Sequence, residues 1–145
     1  MVALGASMVG CASENPTGGG GTSSQPPSIV GTWRGHVQTP TLGEASVETI
    51  FTANGDFSQL TVTPLPPYQL GITGHYEVDT RLKAIHVTNQ QPHPEVYCPA
   101  GPASCERPPV PERQDYVYTF LDNNTLKLEQ PGCTGCEITY SRVTS

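Results

Sequence analysis

The chain has 145 residues, enough for one domain and too few for two. Its formal charge of −6 excludes the basic footprint that binding to a nucleic-acid backbone needs. Fifteen Gly and fifteen Pro make it rich in loops, and no run of 18 apolar residues exists from which a bilayer-spanning helix could be built.

Five cysteines are an odd number, so one of them is free or has a separate task. The chain opens Met1-Val2-Ala3-Leu4-Gly5-Ala6-Ser7-Met8-Val9-Gly10-Cys11, small and apolar with no charge before Cys11. Met8-Val9-Gly10-Cys11 resembles a bacterial lipobox. The resemblance implies cleavage before Cys11 and acylation of that residue, with the non-acidic Ala12 favouring outer-membrane sorting. Residues 1–10 would then be a lipoprotein signal segment. A full leader carries a basic start and about 15–30 residues, so the true start is expected upstream of Met1. The competing reading of Cys11 is a buried cysteine in a short apolar segment. Residues 11–28 continue with Ser, Thr, Pro and the run Gly18 to Gly21, which cannot bury a face. Such a segment has a mean span of about 20–25 Å and reads as a tether.

From Ile29 onward the apolar residues alternate with a period of two, not 3.6, and turn residues interrupt them. Val30 to Thr39 reads as the first strand and Ala45 to Ala53 as the second. Asn54-Gly55-Asp56 is a hairpin turn, because Asn-Gly tolerates positive φ at both central positions. Phe57 to Thr63 is the third strand, closed by Pro64, Pro66 and Pro67. Gly71 to Val78 is the fourth, with Ile72, Gly74, Tyr76 and Val78 on one face. Asp79-Thr80-Arg81 turns into a fifth strand, Leu82 to Asn89. A loop from Gln90 to Arg113 holds seven of the fifteen prolines. Asp115 to Leu121 follows as the sixth strand, with Tyr116, Tyr118 and Phe120 on one face. Asp122-Asn123-Asn124 leads to Thr125 to Glu129, and Cys136 to Val143 is the last strand. Eight sequential strands in about 115 residues predict an all-β, up-and-down antiparallel barrel, whose closure removes exposed sheet edges.

Connections in a meander alternate between its two ends. Asn54 to Asp56, Asp79 to Arg81 and Asp122 to Asn124 make one end tight. Pro40 to Glu44, Pro64 to Leu70, the 90–113 loop and Gln130 to Gly135 elaborate the other, which is where function is expected.

The segment Ile29-Val30-Gly31-Thr32-Trp33 resembles the Gly-x-Trp start of the lipocalin superfamily. Phe51-Thr52-Ala53-Asn54-Gly55-Asp56-Phe57, Gly74-His75-Tyr76-Glu77-Val78, Leu126-Lys127-Leu128 and Ile138-Thr139-Tyr140-Ser141-Arg142-Val143 resemble bacterial lipocalin-like lipoprotein domains in order and spacing. The resemblance covers residues 29–143 and implies a lipocalin-like domain over 29–145. It also implies a closed end built from Gly31, Trp33 and Arg142, with the basic residue packed over the indole. It further implies an interior able to hold one small apolar ligand, entered at the end away from the tether. Alternation makes Phe51, Tyr76, Tyr116, Tyr118 and Phe120 the candidate lining. The other reading is that these residues fill the barrel, and 7% aromatic content weights a filled or nearly filled interior above a roomy one.

Without Cys11, the cysteines Cys98, Cys105, Cys133 and Cys136 form an even set, which in an exported chain predicts two disulfides. Three pairings are open. The local bridges Cys98–Cys105 and Cys133–Cys136 are the simplest, and both loops lie at the elaborated end, so cross-loop bridges stay in play. Cys133-Thr134-Gly135-Cys136 has redox spacing, but no helix follows to stabilise a thiolate. A tetrahedral zinc site of four cysteines is disfavoured by export. His36, His75, His86 and His93 lack metal-ligand spacing, so no metal or cofactor is expected. No nucleophile elbow or phosphate loop occurs, so no enzyme activity is expected. The chain therefore reads as a lipid-anchored cell-envelope protein facing the periplasm or exterior, binding a small apolar ligand or a protein partner. The alternatives are a filled interaction or inhibitor module presenting the 90–113 loop, and a thiol redox protein.

Overall fold

A computed structural model describes residues 26–39, 43–64, 67–96, 103 and 106–144. The expectations placed on the leader, on Cys11, on the linker before residue 26, and on Cys98 and Cys105 lie outside the described residues.

Eight antiparallel strands follow one another around a closed barrel: β1 (Gly31–Thr39), β2 (Gly43–Phe51), β3 (Asp56–Pro64), β4 (Pro67–Asp79), β5 (Ala84–His93), β6 (Arg113–Asp122), β7 (Thr125–Glu129) and β8 (Glu137–Arg142). Closure is made by Trp33, Arg34 and Gly35 of β1 pairing with Arg142, Ser141 and Tyr140 of β8. The up-and-down barrel expected from alternation is therefore present, and it leaves no sheet edge over the paired stretches.

The β1–β8 seam explains two glycines. A Cβ on Gly31, whose φ is +141°, would lie 2.6 Å from Arg142 Nη1. A Cβ on Gly35 would lie 2.8 Å from the Thr139 carbonyl oxygen and 3.1 Å from Tyr140 Cδ1, so the space opposite Tyr140 exists only because the position is glycine.

Two strands run further than the turn residues suggested. β4 begins at Pro67, not Gly71, and pairs with β3 as far as Pro64↔Pro67, so the expected Pro64 to Leu70 loop is mostly hairpin. β5 continues past a bulge at Asn89 (φ 53°) to His93, which shortens the expected 90–113 loop. Beyond Thr88, β5 pairs with β4 but has no ladder partner on β6, so Pro92 can sit opposite Ile72 without breaking a central ladder. At the other end, Gly55 (φ 87°) is the member of the Asn54-Gly55 pair with positive φ. Thr52 N–H donates to the Asp56 carbonyl at 3.0 Å and Asp56 N–H to Thr52 Oγ1 at 3.1 Å, giving a four-residue loop over 52–55 in place of the expected turn over Asn54, Gly55 and Asp56.

The closed half of the barrel is packed solid. Trp33, Ile85 and Leu126 are completely buried, and Phe51 almost so. Trp33 lies 6.2 Å from Phe120, and Phe51 lies 5.6 Å from Phe57 and 4.9 Å from Tyr76, centroid to centroid. Trp33 Nε1 donates to the Ile29 carbonyl at 2.8 Å, so its one polar atom is satisfied in the core. Arg142 Cζ sits 4.2 Å above the indole, while its Nη1 donates to the Val30 carbonyl at 2.9 Å and its Nη2 to the Ser28 carbonyl at 2.5 Å. Gly31, Trp33 and Arg142 thus form the plug at the end of tight turns.

Candidate functional site

Alternation points every second residue inward, and going from the closed end to the open end the inward residues change character. Along β2, Phe51 gives way to Thr49; along β3, Phe57 gives way to Gln59; along β6, Phe120 and Tyr118 give way to Tyr116 and Gln114. The open half therefore holds smaller or more polar side chains, and they leave a space among the described residues there. A cavity of about 400 Å³ opens at the end opposite the Trp33 plug. That volume is at the small end of the range for ligand sites, about 300–1,000 Å³.

Val37 from β1, Leu128 from β7 and Ile138 from β8 supply apolar wall. Tyr140, 1% exposed, has its ring against the space left by Gly35 and reaches across the barrel. Its hydroxyl meets Thr49 Oγ1 at 3.3 Å, and the Gln59 amide donates to Thr49 Oγ1 at 3.3 Å and to the Tyr140 hydroxyl at 3.5 Å. Tyr140 and Gln59 thus form an uncharged polar floor above the aromatic plug, held from behind by the fully buried Thr49. Tyr116 stands in the wall, and no hydrogen-bond partner for its hydroxyl is found among the described residues. At the mouth, Gln114 Nε2 donates to Gln130 Oε1 at 3.3 Å.

Burial pushes the Tyr116 phenol well above its usual value, with the neighbouring Tyr140 phenol adding to the effect. Burial also raises Tyr140, although hydrogen bonds from Thr49 and Gln59 work in the opposite sense. Both phenols are neutral in ordinary buffers. None of the seven lysines and arginines lines the cavity. Among the described lining residues the one charge is Glu137, on the rim, where Lys127 Nζ pairs with it at 2.9 Å.

The β7–β8 connection forms part of the rim. Cys133 and Cys136 lie within disulfide distance, with Cα atoms 5.4 Å apart, matching the local one of the pairings open for this segment. The Cys133 N–H donates to the Gln130 carbonyl at 3.3 Å and the Gln130 N–H to the Cys136 carbonyl at 3.0 Å. Gly132 (φ 78°) and Gly135 (φ 82°) take the left-handed conformations this tight turn needs. Cys136 and Thr134 border the cavity directly.

Of the five aromatic residues proposed as lining, Tyr116 borders this cavity. Phe51, Tyr76 and Phe120 belong to the plug, with the Tyr76 hydroxyl donating to the Thr52 carbonyl at 2.6 Å. Tyr118 packs on Phe120 with centroids 5.8 Å apart. Thr49, Gln59 and Tyr140 were missed. Their signal is a polar group at an inward position: Thr49 between Val47 and Phe51, and Gln59 two residues after Phe57.

Each of the four histidines has its own partner. His36 is 3.4 Å from Glu44, His75 is 3.2 Å from Asp56, His86 is 2.7 Å from Asp115 and His93 bonds Thr73 Oγ1 at 3.0 Å. Among the described residues no group of three or more His, Cys, Asp or Glu could hold a metal ion. The His86 and Arg113 hydrogen bonds to Asp115 lower the pKa of that carboxyl on the outer wall, away from the cavity.

The fold and site define a closed eight-stranded antiparallel β-barrel, plugged at one end and with a pocket at the other. The chain matches no protein-family model, and no curated protein matches it significantly.

Proposed function

We propose that this chain is a non-enzymatic, lipocalin-like binding protein that holds one small molecule at the open end of its barrel. The observation that carries the reading is the cavity of about 400 Å³ above the floor of Tyr140 and Gln59, walled by Val37, Leu128 and Ile138. A concave, preformed and mostly apolar site with a few convergent polar groups is the usual form of a small-ligand pocket. The rim turn bridged between Cys133 and Cys136 supports the same reading, because a pre-ordered rim lowers the entropy lost on binding.

The Met8-Val9-Gly10-Cys11 segment and the Gly-rich stretch after it support a further element. Cys11 would carry a lipid anchor, and the barrel would stand off a bacterial envelope membrane, facing the periplasm or exterior. The plug lies where β1 starts, so the cavity would open away from that surface.

The test of binding is fluorescence titration with N-phenyl-1-naphthylamine, a neutral probe that brightens in apolar surroundings. Saturable enhancement at one site per chain is expected, and Ile138→Trp, which fills the cavity, should abolish it. Enhancement that never saturates, or that survives Ile138→Trp, refutes the site. Mass spectrometry of the protein from bacterial membranes tests the anchor: an unmodified Cys11 still joined to Gly10 refutes it.

A further inference from the structure

The geometry points to a specific ligand class for this cavity: an uncharged amphiphile with an apolar body and one hydroxyl, carbonyl or amide group that reaches Gln59 and Tyr140 on the floor, behind which the fully buried Thr49 lies. This inference rests on the proposed binding function and narrows it away from a purely apolar ligand.

The floor groups are all neutral and already hydrogen-bond one another, but at 3.3 to 3.5 Å, longer than the usual 2.7–3.2 Å. A ligand group inserted among them can exchange these stretched bonds for shorter ones. Gln59 carries both a carbonyl acceptor and N–H donors, and each hydroxyl can donate or accept, so the floor accommodates either sense of hydrogen bond. The Tyr116 hydroxyl in the wall is a further group without a partner among the described residues.

Two other ligand classes fit worse. A purely apolar molecule would cover Gln59 Oε1 and the Tyr116 hydroxyl and return no hydrogen bond, weakening binding by about tenfold per unsatisfied group. A carboxylate or phosphate would enter a site that no lysine or arginine lines, past Glu137 on the rim of a chain of net charge −6. Burying an anion without a counter-charge is the more costly case. A cation would meet no carboxylate at the floor, where the described lining is uncharged.

A matched series on one ring system tests the inference on the full chain: 1-naphthamide (neutral, hydrogen-bonding), 1-methylnaphthalene (apolar) and 1-naphthoate (anionic), by calorimetry and by amide shifts in NMR spectra. The expected order is naphthamide tightest, by about tenfold over methylnaphthalene and more over naphthoate, with shifts at Gln59, Ile138 and Tyr140. Gln59→Met should erase the naphthamide advantage while leaving methylnaphthalene binding within about twofold. Methylnaphthalene equal to or tighter than naphthamide, or naphthoate tightest, overturns the ligand class and leaves the binding site standing. An advantage that survives Gln59→Met overturns the assignment to this floor. No binding by any of the three overturns the proposed function itself.

Discussion

Arg142→Met isolates the energetics of the barrel's closed end. Methionine keeps an unbranched apolar stem over Trp33 and deletes the guanidinium. That group lies 4.2 Å from the indole centroid and donates to the carbonyls of Val30, Ser28 and Asn123 at 2.9, 2.5 and 3.3 Å. The three carbonyls lie on exposed segments where water replaces the lost donors, so each bond is worth about 0.5 kcal/mol, the low end of the usual range. The cation–π contact adds about 0.5–2 kcal/mol. The expected loss is therefore about 2–3.5 kcal/mol, a large part of the ~5–15 kcal/mol typical of a domain. Urea denaturation followed by far-UV circular dichroism should show a lower midpoint at unchanged slope. A double-mutant cycle with Trp33→Leu should give a coupling of about 0.5–2 kcal/mol between the two side chains. Arg142→Lys, which keeps the charge but not the fork, should fall between wild type and Met. A Met variant within about 0.5 kcal/mol of wild type, together with zero coupling, would refute the plug as a stabilising unit.

Gly35→Ala should cost about 1–3 kcal/mol, since its Cβ would meet the Thr139 carbonyl at 2.8 Å and Ile138 Cγ2 at 2.9 Å at the closing seam. The same change should weaken probe binding by displacing Tyr140, and unaltered denaturation and binding would contradict it. Stability should fall above about pH 10. There the unfolded chain releases its phenol protons while buried Tyr116 keeps its own, a loss of about 1.4 kcal/mol per pH unit, and Tyr140 acts in the same direction. Tyr116→Phe should flatten that slope, and an identical alkaline profile would show that the phenol is not held protonated. Cys133→Ser with Cys136→Ser should cost about 2 kcal/mol or less, because the bridge closes a very short loop. Native labelling that finds Cys133 and Cys136 freely reactive would remove the bridge from the rim.

Much of the barrel was legible because the signals are local. Alternation along Trp33, Gly35 and Val37, or Tyr116, Tyr118 and Phe120, reports a half-buried strand without reference to any partner. Prolines misled where partners mattered. Pro67 read as a terminator and Pro92 as part of a loop, yet β4 starts at Pro67 and β5 runs through Pro92, because tolerance for a missing N–H depends on which edge of the strand is paired. The site was legible only through Tyr116. Aromatic residues attract attention as lining, whereas Thr49 and Gln59 read as breaks in an apolar pattern, and those breaks are where the plug gives way to the pocket.

Taken alone, the sequence determined the all-β class, the strand order, the tight and elaborated ends, and Gly31 and Trp33 at the start of the first strand, since each rests on side-chain period or turn chemistry within a few residues. The tertiary structure decided that the barrel is plugged at one end and keeps a pocket at the other. That outcome depends on closing β1 against β8 and on contacts such as Thr49 with Tyr140, 91 residues apart, where side-chain volumes from distant strands either meet or leave a gap.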